Sequence, residues 1–160
     1  MHIRILNIAQ KVPLWVNTAF QEYQKRLQPF WPVELITLPL APRPTPTQDN
    51  TKNVATCIEQ EGVKLSEMIR PRSVVVALDL RGKTLSTEQF SQSLQQWSVE
   101  YPAVDFLIGG PDGLAQRCKQ RAHLLLSLSA LTFAHPLVRI ILIEQLYRAW
   151  SILNHHPYHR

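Results

Sequence analysis

The side chains in this sequence with the means to do chemistry gather in two loop-like segments and one basic, aromatic end. The first segment is Gly109-Gly110-Pro111-Asp112-Gly113, which follows an apolar strand pattern and precedes a helix-compatible stretch at 114–122. Glycines at a strand-to-helix turn let backbone amides approach a ligand, so this segment reads either as a cofactor loop or as a tight structural turn. It is not a dinucleotide fingerprint: the GxGxxG spacing is absent, Pro111 removes a donor, and the first strand ends in Asn7-Ile8-Ala9-Gln10 without a glycine. The second segment runs from Ser127 to Pro136 between the last strand pattern and the last helix pattern. It reads either as a second wall of a pocket beyond the strand ends or as a capped connection in which Ser129 and Thr132 satisfy local backbone groups.

His135 closes that second segment. Histidine titrates near neutrality, so a strand-to-helix position suits it to proton transfer, although a lone histidine before proline also serves structure alone. Arg148 lies four residues after Glu144. That spacing allows an intrahelical ion pair, and the guanidinium is equally suited to stabilising an anion. The end His155-His156-Pro157-Tyr158-His159-Arg160 joins aromatic, imidazole and guanidinium groups of the kinds that stack on bases or bind phosphates. No metal is expected there, because Pro157 breaks the register between His155 and His159 and no carboxylate or cysteine follows.

These residues must be positioned by an alternating pattern. Strand-like runs at 2–9, 33–38, 73–79, 104–110 and 124–129 alternate with helix-period stripes such as Leu14, Trp15, Ala19, Phe20, Tyr23 and Leu27, and Val54, Ile58, Leu65, Met68 and Ile69. Ser86 and Gln89 form a capping box ahead of Phe90, Leu94 and Trp97. Pro136 suits the first turn of a final helix over 137–153, and Pro157 ends it. The expected fold is a single α/β domain with a mostly parallel sheet flanked by helices. The final helix is apolar around much of its circumference, which suggests either a second subunit or a central helix wrapped by its own domain. The stretch Pro39 to Asn53, with prolines at 39, 42, 44 and 46, is the one candidate linker.

Composition bounds the reading. With 160 residues, 45% apolar, 18% charged and only five glycines, the chain reads as one folded domain. A net charge of +5 favours an anionic partner such as nucleic acid without requiring one. Cys57 and Cys118 lie far apart, outside any CxxC pair, and are expected to be buried thiols. No membrane span or leader is read, which makes a cytoplasmic protein the expectation. GxSxG, HExxH and the P-loop are all missing, which removes the easiest hydrolase and nucleotidase readings.

Taken in order, LIGGPDGL (107–114), LSLSALTFAHPLVR (126–139), EQLYRAWSI (144–152) and HPYHR (156–160) resemble the RlmH, or YbeA-like, family of SPOUT-class methyltransferases. KVPLWVNTAFQEYQKRL and VVALDLRGK extend the resemblance over nearly the whole chain. It implies one SPOUT domain over residues 1–160 with a trefoil knot and cofactor region at about 104–155, and a homodimer, although topology rules alone argue against a knot. It also implies S-adenosyl-L-methionine as cofactor, with contacts at Leu78, Gly109, Gly110, Leu128, Ser129, Ala130, Leu131, Thr132 and Phe133. The implied reaction is methylation of N3 of a pseudouridine in 23S rRNA, in the intersubunit-bridge stem-loop of the assembled 70S ribosome.

On that reading His135 and Arg148 are the catalytic candidates, as proton acceptor or orienting group and as anion stabiliser. Tyr158, His159 and Arg160 form an RNA-facing tail completed by the second subunit, and Asp112 has no catalytic role. Two competing readings remain: a non-catalytic ribosome-binding or assembly module on the same fold, and a small-molecule oxidoreductase, which the missing fingerprint disfavours.

Overall fold

The computed structural model describes residues 1–43 and 50–160, so Pro44 and Pro46 of the proline-rich stretch lie outside the described residues. Five strands form one all-parallel sheet: β1 (His2–Ile8), β2 (Val33–Leu38), β3 (Ser73–Thr84), β4 (Ala103–Ile108) and β5 (Leu124–Ser127), in the order β2-β1-β4-β3-β5. The helices are α1 (Leu14–Leu27), α2 (Asn50–Met68), α3 (Thr87–Glu100), α4 (Gln116–Arg121) and α5 (His135–Leu153). A short 3₁₀ turn, Pro157–His159, follows.

The period-two alternation of the strands sorts their side chains into two cores. Ile3, Ile5, Val74, Val76, Val104 and Phe106 point to the layer of α1, α3 and α5. Leu6, Ile8, Val75, Ala77 and Leu107 point to the layer holding α4 and Leu65 of α2. Sequence and structure agree on every strand and helix, with shifted ends. The final helix starts at His135 rather than 137, with Pro136 in its first turn. The short helix covers 116–121, and β5 stops at Ser127 rather than 129. Helix α3 opens on the expected capping box: the Ser86 hydroxyl accepts from the Gln89 N–H, and the Gln89 side chain accepts from the Ser86 N–H.

The largest departure is β3, which runs to Thr84 instead of 79. Its pairing with β5 jumps from Leu78 opposite Leu126 to Lys83 opposite Leu126, so residues 79–82 bow out of the ladder. Gly82 is what permits this. A Cβ there would meet the backbone of Leu125 and Leu126 at 2.7 Å.

Helix α5 packs against both α1 and α3, so much of its apolar surface is used inside the protomer. Leu137, Ile141, Gln145, Arg148 and Ile152 are only half-buried, and at helical spacing they form one outward stripe. Both cysteines are buried free thiols, and burial pushes the Cys118 thiol above its ordinary pKa. No helix among the described residues is long and apolar enough to cross a membrane, and none of their His, Cys, Asp and Glu side chains form a metal-holding group of three.

The sheet is pinned at its amino-terminal end by a buried ion pair. Arg4 of β1 donates to both carboxylate oxygens of Asp105 of β4, at 2.8 and 2.7 Å, and to the Met68 carbonyl at the end of α2. Asp105 also accepts from the Ser73 hydroxyl and the Arg70 N–H. Removing one partner leaves an uncompensated buried charge, so Asp105→Ala should lose about 3–5 kcal/mol of stability. The double variant Arg4→Met/Asp105→Leu should recover most of that. Urea unfolding midpoints measure both.

Candidate functional site

Strand β3 leads to α3 on one face of the sheet, whereas β4 leads to α4 on the other. Chains that leave adjacent parallel strands on opposite faces open a crevice beyond the carboxyl ends, where ligands of open α/β sheets bind. Here the crevice is a cavity of about 510 Å³. Three irregular segments wall it: residues 79–81 of the β3 excursion, the glycine turn 109–113, and the loop leaving β5.

The glycine turn is tight as well as ligand-facing, so both sequence readings apply to it. The Gly113 N–H donates to the Gly110 carbonyl at 3.0 Å, with Pro111 and Asp112 at the two central positions. Gly113 takes a left-handed φ of 99°. A Cβ on Gly109 would sit 2.5 Å from the Gly113 carbonyl oxygen, and one on Gly110 would sit 2.9 Å from a Glu61 oxygen. The loop after β5 is likewise self-supporting: the Ser127 hydroxyl donates to the Ser129 carbonyl, and the Ser129 hydroxyl accepts from the Leu131 N–H.

Of the sequence-derived pocket residues, Leu78, Gly109, Gly110, Leu128, Ser129, Leu131, Thr132 and Phe133 all line this cavity. The walls do not include Ala130. His135 lines it too, and its Nε2–H donates to the Gly109 carbonyl at 2.6 Å. That bond joins the glycine turn to the first turn of α5 and leaves Nδ1 as the ring's acceptor.

Arg148 is elsewhere. Thirteen residues along α5 from His135, it lies about 20 Å away at the helical rise. It pairs with Glu144 at 2.7 and 2.9 Å, the intrahelical reading of its spacing, and shares a second hollow with Thr87, Glu88, Ile152 and His159.

The tail packs on this same end. His155, at a left-handed φ of 53°, reverses the chain in a Schellman turn: its N–H donates to the Ile152 carbonyl and that of His156 to the Ser151 carbonyl. The reversal lays Tyr158 against Tyr147, with ring centroids 4.7 Å apart, and brings the Arg148 guanidinium 5.0 Å from the Tyr158 ring centre. The Tyr158 hydroxyl reaches Glu144 at 3.0 Å. Burial, together with the neighbouring Tyr23 and Glu144, pushes this phenol above the ordinary tyrosine range, so it stays a neutral donor. Within one protomer, Arg148, Tyr158 and His159 therefore gather together, Arg160 is exposed beyond them, and His135 belongs to a different site.

A glycine turn and a serine loop at diverging strand ends fit several transferase folds, and the comparisons decide among them. The family model described as "Predicted SPOUT methyltransferase" matches residues 1–159. The chain belongs to the SPOUT methyltransferase family. It is 46% identical over 160 residues to the protein named Ribosomal RNA large subunit methyltransferase H from Acinetobacter baumannii, covering all of this chain and 99% of that protein. A protein of the same name from Saccharophagus degradans is 48% identical, with both chains fully covered. The counterpart from Acinetobacter baylyi is 44% identical, covering all of this chain and 99% of that one.

A SPOUT methyltransferase needs a place for a methyl donor, and the residues of the cavity fit a nucleoside-sized one. Leu78, Ile108, Leu126, Leu128, Phe133 and Val138 offer apolar walls, and the glycine turn brings bare backbone to the rim.

Sequence reasoning missed several residues that line this cavity or brace it. Asp79, Arg81 and Lys119 line the cavity; charge directly after an apolar run was the signal at Asp79 and Arg81, and Lys119, on α4, had none. Gly82 follows the apolar run 73–79, where a glycine reads as the end of a strand rather than as a bulge within it. Arg43 and Glu61 had no signal. Arg43 donates to Glu61 at 2.5 Å and to Asp112 at 2.7 Å, while Glu61 also accepts from the Ala41 N–H. This network ties the start of the proline-rich stretch to the glycine turn, and gives Asp112 a structural task.

The two links should differ in strength. The Arg43–Asp112 pair is 28% and 38% exposed, whereas the Glu61 carboxylate is 3% exposed. A double-mutant cycle with alanine at 43 and 112 should give a coupling of about 0.5–1 kcal/mol. The cycle at 43 and 61 should give a larger one, read by thermal or urea unfolding.

Proposed function

We propose that this cavity binds S-adenosyl-L-methionine and that the protein, as a homodimer, methylates N3 of a pseudouridine in 23S rRNA. The substrate on this reading is the intersubunit-bridge stem-loop of the assembled 70S ribosome, in the cytoplasm. The observation that carries the reading is the convergence of Leu78, Gly109, Gly110, the 128–133 loop and His135 on one cavity, in a chain of the SPOUT family whose relatives bear a large-subunit rRNA methyltransferase name. The same reading takes the 104–155 region, which supplies most of these walls, as the family's trefoil knot.

Bound there, S-adenosylmethionine would supply an electrophilic methyl carbon on a sulfonium. The imide N3 is a poor nucleophile until its proton leaves, so the protein's task is to hold the two reactants in line and to take or stabilise charge. The apolar walls exclude water from the methyl group. His135, braced through Nε2–H on Gly109, orients the turn and presents Nδ1 as the acceptor for the N3 proton. The donor's sulfonium would supply the methyl for the new N–CH₃ bond and keep the S–C electron pair, and Nδ1 of His135 would hold the proton that N3 gives up.

Arg148 stands about 20 Å along α5 from His135, too far to act at the same centre within one protomer. Its assigned role as an anion stabiliser therefore depends on the dimer. With the half-buried stripe of α5 as the seam, Arg148, Tyr158, His159 and Arg160 of one protomer would serve the cavity of the other.

Purified protein with labelled S-adenosylmethionine and undermethylated 70S ribosomes should label one pseudouridine. His135→Ala and Arg148→Ala should each lower kcat by about 10²-fold or more, and unchanged labelling would remove the roles given to them. Binding to ribosomes with no calorimetric heat from S-adenosylmethionine would instead establish a non-catalytic module. Deleting residues 158–160 should weaken RNA methylation far more than cofactor binding, whereas equal loss of both would assign the tail to the cofactor pocket.

A further inference from the structure

One end of the cavity carries a pair of opposite charges that the reading above does not use. Asp79, on the β3 excursion, and Lys119, on α4, approach to 2.5 Å. Their side chains are only 12% and 24% exposed, and both line the cavity. The carboxylate is held from behind, since its Oδ1 accepts from the Arg81 N–H at 2.8 Å. Burial alone would raise the Asp79 pKa, but the Lys119 ammonium and the Arg81 N–H outweigh it and hold the carboxyl below its ordinary value.

The placement of this pair follows from the bulge. Gly82 lets the chain lie close against the β5 backbone where residues 79–81 leave the ladder, and all three of those residues line the cavity. Helix α4 approaches from the other face, and Lys119 meets Asp79 in the cavity wall. Most of the remaining wall is apolar. A cavity of this kind matches a ligand with a largely apolar ring system at one end and two opposite charges at the other.

We propose that Asp79 and Lys119 recognise the zwitterionic α-amino-acid end of the methyl donor, Lys119 receiving its carboxylate and Asp79 its ammonium. The inference rests on the reading of the cavity as the S-adenosylmethionine site and deepens it. The exchange conserves charge: one protein ion pair opens and two protein–ligand pairs form, so no net charge is left buried without a partner. Charge-assisted hydrogen bonds to both ends also set a direction, with the amino-acid end at the α4 side of the rim and the nucleoside among the apolar walls. A ligand that has the nucleoside but lacks the amino acid would gain nothing from the pair.

Calorimetry with S-adenosylhomocysteine and with 5′-methylthioadenosine separates this role from a purely structural one. The first carries the amino-acid end and the second lacks it. Asp79→Asn and Lys119→Met should weaken S-adenosylhomocysteine binding by about 10- to 100-fold while changing methylthioadenosine binding by no more than about twofold. Lys119→Arg, which keeps the charge, should restore most of the loss.

Equal weakening of both ligands would overturn the proposal, since it would mean that the pair only ties α4 to β3 or contacts the ribose. Unchanged binding of both would overturn it as well. Should Lys119→Met lower the unfolding temperature, Lys119→Arg and Asp79→Asn carry the same comparison. Wild-type protein that binds neither ligand would overturn the assignment of the cavity itself, an outcome distinct from wild-type binding that the variants leave unaltered.

Discussion

Adjacent parallel strands β3 and β4 send the chain to opposite faces of the sheet, and the site exists because of that divergence. With α3 on one face and α4 on the other, no helix closes over the strand ends between them. The opening is bordered by a bulged stretch of strand and two loops, each of which needs its own support. Residues 79–82 leave the ladder where Gly82 allows close approach to the β5 backbone, with Asp79 held by Lys119, and the glycine turn is held through Asp112 by Arg43, itself paired with Glu61. The loop after β5 is held by its serine hydroxyls and, at its far end, by the bond from His135 to Gly109. Each brace reaches a different element. Displacing any one strand end would therefore be felt at the mouth of the cavity as a change in shape.

The opposite end of the sheet is built differently. Arg4, Asp105, Ser73 and the end of α2 form a buried, hydrogen-bonded cluster that fixes β1, β3 and β4 against one another. An ion pair this deeply buried contributes little net stability compared with an apolar replacement, but it is costly to break, so it favours one register. The apolar strand centres lie between this fixed foot and the loop-built mouth. A rigid scaffold carrying adjustable loops is the arrangement that lets a site be shaped without reorganising the core.

Much of this was legible in the sequence because it depends on local pattern. Short apolar runs rich in branched residues gave the strands, helical stripes gave the helices, and Ser86 with Gln89 marked the start of α3 correctly. Gly109, Gly110, Leu128, Ser129, Leu131, Thr132 and Phe133 came from the ordered motifs of the resemblance and line one cavity, while Ala130, named with them, stands outside its walls. What could not be read depends on distance between segments remote in the chain. The pairing of Arg43 with Glu61 and Asp112 joins three such segments, and the meeting of Asp79 with Lys119 requires a bulge whose depth no pattern states. The end of β3 was missed for a related reason: charged residues and glycine look like the end of a strand, although here they form an excursion that returns to pair with β5.

Helix α5 turns the same limitation into a constraint. Its types and motifs placed His135 and Arg148 in one catalytic set, yet a straight helix of this length holds its ends about 20 Å apart. It runs as one helix from His135 to Leu153, with its middle turns packed between α1 and α3 by Leu142, Ile143, Leu146 and Tyr147. Among the half-buried residues of the helix, Leu137, Ile141, Gln145, Arg148 and Ile152 fall at helical spacing on one stripe. A two-fold axis across this stripe would set two such helices antiparallel, carrying the Arg148 end of each toward the His135 end of the other. On the proposed reading, the rigidity that separates the two candidates within one chain is what would deliver them together between two.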